Sequence, residues 1–344
     1  MFKNKTFIFS RYFTTHLEKR KHLLNVIYKP FFGLKKDSAE YLELAKSGKI
    51  WESHFKPWNI DRELKFQTEN SDLLSEIDSY KQIKIDMESV LSSLTAGLAQ
   101  QSVYFEGNSL KLGDSILILE SLKRFPFFKS IINSTYSFDI SSSVKTLPTA
   151  EELLPNRPIK DVLELRNQLI VSELVSKDAM KHISLDEGKL KYYHSLLLKD
   201  TEKERVEGWG RIQLSGVYRS LPIQAHNSPK TVYPYPLEVP SLMKFFFQNK
   251  NDYILQNTLH PVLLATHLMV TFLHIHPFHD GNGRLGRLIF GFYLIKNGYP
   301  PLLFHLLGRE EYIRMIFDAQ HKNIEDLYLT VLETMKNKLI EISY

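Results

Sequence analysis

Pro277 closes the most apolar stretch of the chain. Residues 261–275 carry helical periodicity. The residue before a proline is pushed out of the α region, so this helix must end at His276. A second helix is expected to begin near Arg284 and run through Leu288, Ile289 and Phe292. Between them, Asp280-Gly281-Asn282-Gly283 forms a tight turn that feeds a helix N-terminus. Such a turn points several backbone N–H groups one way, and the helix dipole adds positive potential. Gly281 and Gly283 permit positive φ and the close approach of an anion.

Helical spacing recurs over 37–52, with Asp37 as the expected cap, and over 72–104, 115–125, 161–178, 187–199, 241–249, 309–320 and 324–341. Met87, Leu91, Leu94 and Leu98 fall on one buried stripe, and Gly107 follows as a helix stop. Residues 133–158, rich in Ser and Thr and holding Pro148, Pro155 and Pro158, read as a loop or inserted segment. Gly208, Gly210 and Gly216, then Pro222, Pro229, Pro234, Pro236 and Pro240, forbid a long helix over 206–240. Within that stretch, 216–223 reads as a short β-hairpin or an extended flap. The expected fold is mainly α, a helical bundle with a short β-hairpin flap, in one domain with an N-terminal extension over 26–84.

The 344 residues suffice for a substantial core. The net charge of +5 is spread along the chain and gives no argument for nucleic acid. The absence of cysteine excludes disulfides, thiolate catalysis and cysteine zinc sites. No apolar run approaches the ~20 residues of a membrane span. Residues 1–25 form a basic tail with Lys3, Lys5, Arg11 and several hydroxyls, and no acid before Glu18. That composition suits either a mitochondrial transit peptide or a flexible tail on a cytoplasmic protein.

The residues around the glycine turn carry the chemistry. His276, at the helix exit, can take a proton from an incoming hydroxyl when its imidazole is neutral. Asp280 is a hard oxygen ligand suited to Mg2+ (or Mn2+) shared with phosphate oxygens. Arg284 and Arg287 stand one turn apart on the new helix and can face the same anion. Together they imply attack of a protein hydroxyl on a nucleotide phosphate. His260, His267 and His274 recur on one helix face, but at about 10 Å between successive members they are too far apart to share a metal.

The run His276-Pro-Phe-His-Asp280-Gly-Asn282-Gly-Arg284-Leu-Gly-Arg287 fits the pattern His-x-Phe-x-(Asp or Glu)-Gly-Asn-Gly-Arg-x-x-Arg at every fixed position. It resembles the signature of Fic-domain proteins. The resemblance continues through Gly298-Tyr299-Pro300-Pro301 and covers roughly residues 85–340. It implies a protein AMP transferase (AMPylator) that uses Mg-ATP to modify a Ser, Thr or Tyr hydroxyl of a target protein. His276 is then the general base and Asp280 the metal ligand. Gly281, Asn282 and Gly283 form the anion nest, and Arg284 and Arg287 bind phosphate. Tyr312 and Gln320 stand where adenine or ribose contacts are expected, although many members have Asn at the position of Gln320. Many members dimerise, so a homodimer is also expected. Another nucleotide or phosphocholine as donor, or a catalytically silent nucleotide-binding module, stays open.

Ser102-Val-Tyr-Phe-Glu106-Gly107-Asn108 resembles the family's inhibitory motif, of the animal and fungal type. Ser102 and Glu106 share one face at the end of a helix expected over 87–106. A carboxylate reaching Arg287 would occupy the guanidinium that a terminal phosphate needs. The resemblance also gives Glu106 a part in removing AMP from the target. Gly216-Val217-Tyr218-Arg219, with Leu221-Pro222-Ile223, resembles the family's flap, expected over 216–226, which holds the target segment by strand addition.

Overall fold

The computed structural model describes residues 18, 21–51, 60–81, 86–126, 128, 147–208, 210–223, 231–304, 307–321 and 323–343. The first seventeen residues of the expected basic tail and residues 224–226 of the expected flap lie outside these. In chain order the helices are α1 (Ala39–Ser47), α2 (Asp61–Glu69), α3 (Ser71–Lys81), α4 (Met87–Tyr104), α5 (Leu112–Arg124), α6 (Ala150–Leu153), α7 (Ile159–Met180) and α8 (Glu187–Leu197). They continue as α9 (Val239–Gln256), α10 (Pro261–Ile275), α11 (Asn282–Lys296), α12 (Arg309–His321) and α13 (Glu325–Ser343). A hairpin of β1 (Arg205–Gly208) and β2 (Arg211–Leu214) sits between α8 and α9.

The bundle is built around α10. Every residue from Val262 to Ile275 is buried, so this helix is wrapped on all sides. Pro261 occupies its first turn, where a missing N–H costs nothing, and His260 Nδ1 accepts the Val262 N–H at 3.2 Å. At the other end Pro277 bars the α conformation, and His276 takes the left-handed one instead, at φ 52° and ψ 60°. For a non-glycine residue that costs about 1–2 kcal/mol. The turn returns the chain along α10 as α11. A methyl on Gly286 would lie 2.9 Å from Leu273 Cδ2, so a larger residue where the two helices touch would force Leu273 to shift. The long α7 packs against α4, α8 and α11.

The N-terminal extension is not a separate body. Ile27, Tyr28, Ile50, Trp51, Phe66, Leu74 and Ile77 are buried in the same core as α10 and α11. α3 lies along α13.

The structure moves several expected boundaries. Ser38, not Asp37, caps α1, its Oγ accepting from the Tyr41 N–H at 3.2 Å, while Asp37 takes φ 64°. Gly48, at φ 72°, splits the expected 37–52 helix into α1 and a 3-10 turn at Lys49–Trp51. The expected 72–104 helix is two helices, with Asp86 capping the second. The hairpin lies at β1–β2, upstream of the expected 216–223. Its antiparallel register pairs Arg205 with Leu214 and Gly208 with Arg211, and Gly210 in the connection takes φ 67°. Residues 216–223 form turns and extended chain, and the Arg219 backbone N–H donates to the Pro277 carbonyl rather than to a partner strand. Among the described residues, no helix is long and apolar enough to cross a membrane.

Candidate active site

The His276 ring is partly buried at the exit of α10, with Tyr233 packed on it at 4.3 Å between centroids. Its Nδ1 lies 3.1 Å from the Leu273 carbonyl oxygen. A carbonyl can only accept, so Nδ1 carries the proton, and a neutral ring leaves Nε2 with a free lone pair. Burial, and next the Arg219 charge, push this imidazole down to about 4. It is therefore an unprotonated base at neutral pH.

The turn beyond it is held by buried side chains. Asn282 Oδ1 accepts the Phe278 N–H at 3.0 Å, and its Nδ2 donates to the Phe278 carbonyl at 2.8 Å. The Asn282 side chain therefore builds the turn, and only its backbone N–H is left for a ligand. His279 Nε2 donates to the Lys203 carbonyl at 2.7 Å, tying the turn to the loop before β1. Gly281 is the N-cap of α11, at φ 73°, and no side chain caps the helix. The first N–H groups of a helix have no intrahelical acceptor, so these remain for an anion.

Asp280 Oδ1 accepts the Gly281 N–H at 2.5 Å and faces Arg284 Nη2 at 3.4 Å, and the side chain keeps 38% of its exposure. Arg284 is buried, yet its Nε and Nη1 have no hydrogen-bond partner among the described residues. A buried guanidinium with unpaired donors is costly unless an anion arrives.

At the end of α4 a second carboxylate enters the same space. Glu106 sits in the turn that follows the helix, where Gly107 takes φ 97°. Arg287 Nη2 donates to Glu106 Oε1 at 2.6 Å and to the Ser102 carbonyl at 2.6 Å, and its Nε donates to Ser102 Oγ at 2.9 Å. The guanidinium lies 5.5 Å from the rings of both Phe105 and Tyr312, which stack on each other at 4.1 Å. A methyl on Gly283 would overlap Glu106 Oε1. The Glu106 carboxylate therefore lies over the glycine turn as well as on Arg287.

A cavity of about 590 Å³ joins these groups. His276, Asp280, Arg284, Arg287 and Glu106 line it on one side, together with Gly281, Asn282 and Gly283. Tyr312 and Gln320 line it from α12. Ser102 reaches the site only through Arg287. The three periodic histidines go to separate partners: His260 to Asp78, His267 to Glu63, and His274 to the ring of His321. Among the described residues no three metal-ligating side chains form a cluster.

Sequence reasoning missed His194. Its Nδ1 accepts the Gly216 N–H at 2.8 Å, so Nε2 carries the proton and donates to the Asp280 carbonyl at 2.9 Å. Its ring stacks on Phe278 at 3.7 Å, and burial pushes it down to about 3. It is a neutral strut between the segment after β2 and the catalytic turn. No local pattern reports a contact spanning 86 residues.

Residues 184–294, from α8 through most of α11, match the family model described as Fic/DOC family. The chain is 30% identical over 164 residues to the protein adenylyltransferase Fic of Nematostella vectensis, covering 43% of this chain and 36% of that protein. It is 28% identical over 258 residues to the protein adenylyltransferase Fic of Drosophila willistoni, covering 70% of this chain and 47% of that protein. The chain thus spans between a third and a half of the length of these curated relatives. Among solved structures, a Fic domain containing signaling protein from Bacteroides thetaiotaomicron matches with a TM-score of 0.56 at 22% identity, over 79% of this chain and 94% of that one. Fic-1 from C. elegans matches with a TM-score of 0.56 at 14% identity, over 96% of this chain and 95% of that one.

Proposed function

We propose that this chain, which carries a Fic domain in its hairpin and its α10–α11 turn, is a self-inhibited protein AMP transferase. Its reaction moves AMP from ATP to a Ser, Thr or Tyr hydroxyl of a target protein. The hydroxyl oxygen attacks the α-phosphorus, the bond to the bridging oxygen breaks, and pyrophosphate leaves with the bonding electrons. His276 Nε2 takes the hydroxyl proton. The open N–H groups at the start of α11 and the unpaired donors of Arg284 hold phosphate oxygens. Tyr312 and Gln320, which line the cavity from α12, take the adenosine.

Asp280 fits one ligand position of Mg2+ (or Mn2+). Its carboxylate is partly exposed in the cavity, and one carboxylate completed by phosphate oxygens is an ordinary donor set for this ion. When bound, the ion supplies charge neutralisation and alignment of the phosphate oxygens. The exposed face of β2 is the proposed docking strand for an extended segment of the target. The Fic-like unit is assigned to residues 85–340, with α4 as its inhibitory helix.

One observation carries the self-inhibition: Glu106 holds Arg287 and covers Gly283 at once. A terminal phosphate needs both places. We assign the same carboxylate, left 40% exposed, the positioning of water for AMP removal from the modified target.

The test is mass spectrometry of the Glu106→Gly protein incubated with Mg-ATP and lysate. Attached AMP on this protein and on a target is expected, and adding His276→Ala should remove it. No nucleotide on the Glu106→Gly protein would sink the brake. Parallel incubations with GTP, CTP and CDP-choline identify the donor. Nucleotide binding without any transfer would instead mark a silent module.

A further inference from the structure

Arg219 is buried at 3% exposure, and its donors go to backbone carbonyls. Its Nε donates to the His276 carbonyl at 2.7 Å, and its own N–H donates to the Pro277 carbonyl at 2.9 Å. Its Nη2 donates to the Pro234 carbonyl at 2.5 Å, and its Nη1 reaches the Leu221 carbonyl at 3.5 Å. One side chain therefore ties three segments together: the strap after β2, the strap before α9, and the exit of α10. The two carbonyls it holds at the catalytic turn belong to His276 and the residue after it. Fixing the His276 carbonyl fixes ψ, which, with the positive φ, sets how the chain leaves α10 at this residue.

The far side of the arrangement leads into the N-terminal extension. The peptide unit between Pro234 and Tyr235 is planar, so its carbonyl and N–H move together. Arg219 holds the carbonyl. The N–H donates to Glu238 Oε2 at 2.6 Å. The same oxygen accepts from Tyr28 Oη at 2.8 Å. Tyr28 also packs on Tyr235 at 4.4 Å between ring centroids and edge-on to Trp51, which in turn meets the ring of His274 in the last turn of α10. Glu238, at 1% exposure, is the buried carboxylate whose charge acts on Arg219.

We propose that Arg219 is the positioning residue for the base His276, and that Tyr28 of the N-terminal extension, acting through Glu238 and the Pro234–Tyr235 peptide, holds Arg219 in place. On this reading the extension is part of the active-site scaffold. The inference rests on the proposed AMP transfer for its kinetic test, and on geometry alone for its spectroscopic one.

The kinetic arm uses the full chain released by Glu106→Gly. Arg219→Gln in that background is expected to lower kcat about 100-fold, the scale of a misplaced reacting group, while the Kd for ATP changes less than about threefold. Arg219→Lys keeps the charge but not the planar fork, so it should recover only a small part. Tyr28→Phe is isosteric and removes one hydroxyl. It should lower kcat about fivefold at unchanged Kd, and it keeps the test decisive if Arg219→Gln fails to fold.

The spectroscopic arm follows His276 by nitrogen NMR in the wild-type chain without nucleotide. The charged and titratable groups facing that ring are Arg219, Glu106, Asp280 and His274. Removing the like charge of Arg219 should raise the titration midpoint and weaken the Nδ1–H tautomer. A folded Arg219→Gln protein with an unchanged tautomer and midpoint would overturn the proposal. So would Tyr28→Phe and Arg219→Gln rates within twofold of the Glu106→Gly parent. If the parent itself transfers nothing, the proposed function fails and the NMR arm still decides this inference.

Discussion

Two turns meet across the guanidinium of Arg287; each is anchored by a buried asparagine, Asn282 or Asn108, and they differ in the exposure of the groups they present. The turn after α10 is fixed from inside. Asn282 bonds both polar groups of Phe278, His194 holds the Asp280 carbonyl, and Arg219 holds the carbonyls of His276 and Pro277. The turn after α4 presents a single carboxylate that keeps 40% of its exposure. Removing a partner from the first leaves buried polar groups unsatisfied, at about 1–3 kcal/mol each. A contact as exposed as the second is screened by water and contributes on the order of 1 kcal/mol. On the proposed function, the chemistry is thus assembled permanently, while its control is a weak contact that a competing anion would displace.

The sharpest way to break this comparison is Gly283→Ala. A methyl there overlaps the brake carboxylate but also fills the anion nest. Transfer about 100- to 1000-fold slower than in the Glu106→Gly protein is expected, despite the displaced brake, and ATP binding by calorimetry should fall in parallel. Activation comparable to Glu106→Gly would mean that the nest holds no phosphate.

Asn282→Ala comes next, and it should act on stability. Losing two buried hydrogen bonds is expected to cost about 2–3 kcal/mol in urea denaturation, whereas Glu106→Gly should cost less than about 1 kcal/mol. Equal costs would erase the contrast between the two turns.

The pH dependence probes the inner turn together with His260 and His274 at the two ends of α10, which burial also pushes down. His276 and His194 are held down to about 4 and about 3, below the ordinary 6.5. Below 6.5 the unfolded chain takes protons that the folded turn refuses. This contribution is complete above pH 6.5 and is lost as the pH falls towards 4. From these two groups together, urea denaturation at pH 5 should give about 4 kcal/mol less stability than at pH 7. Substituting His194 by Gln should flatten that slope.

The smallest expected effect is that of Ser102→Ala. It removes one hydrogen bond from Arg287 and should raise ATP-dependent self-labelling about fivefold at unchanged stability.

The inner turn was largely legible in the sequence, because a proline, two glycines and a helical repeat act on their immediate neighbours. Pro277 stops α10 whatever packs around it, and Gly281 starts α11 from a left-handed cap. The pairing of Glu106 with Arg287 was legible only through a motif resemblance, since 181 residues separate them. Arg219 and His194 were not legible as parts of the site. Their partners come from other segments, and a buried arginine on carbonyls looks in sequence like any surface arginine. The hairpin was misplaced for a related reason. Glycines mark 206–216 as turn-forming throughout, and nothing in that local pattern says which part pairs as strands. Gly286 carried no signal in sequence, yet a larger residue there would push on Leu273 across the α10–α11 contact.

The left-handed backbone of His276 bears on how a trapped complex should be made. Asparagine is, after glycine, among the residues that enter this region most readily, and its amide cannot take a proton. His276→Asn therefore preserves the local chain path that alanine strains. It should hold nucleotide and target together without turnover, which makes it the substitution of choice for capturing the protein on its substrate.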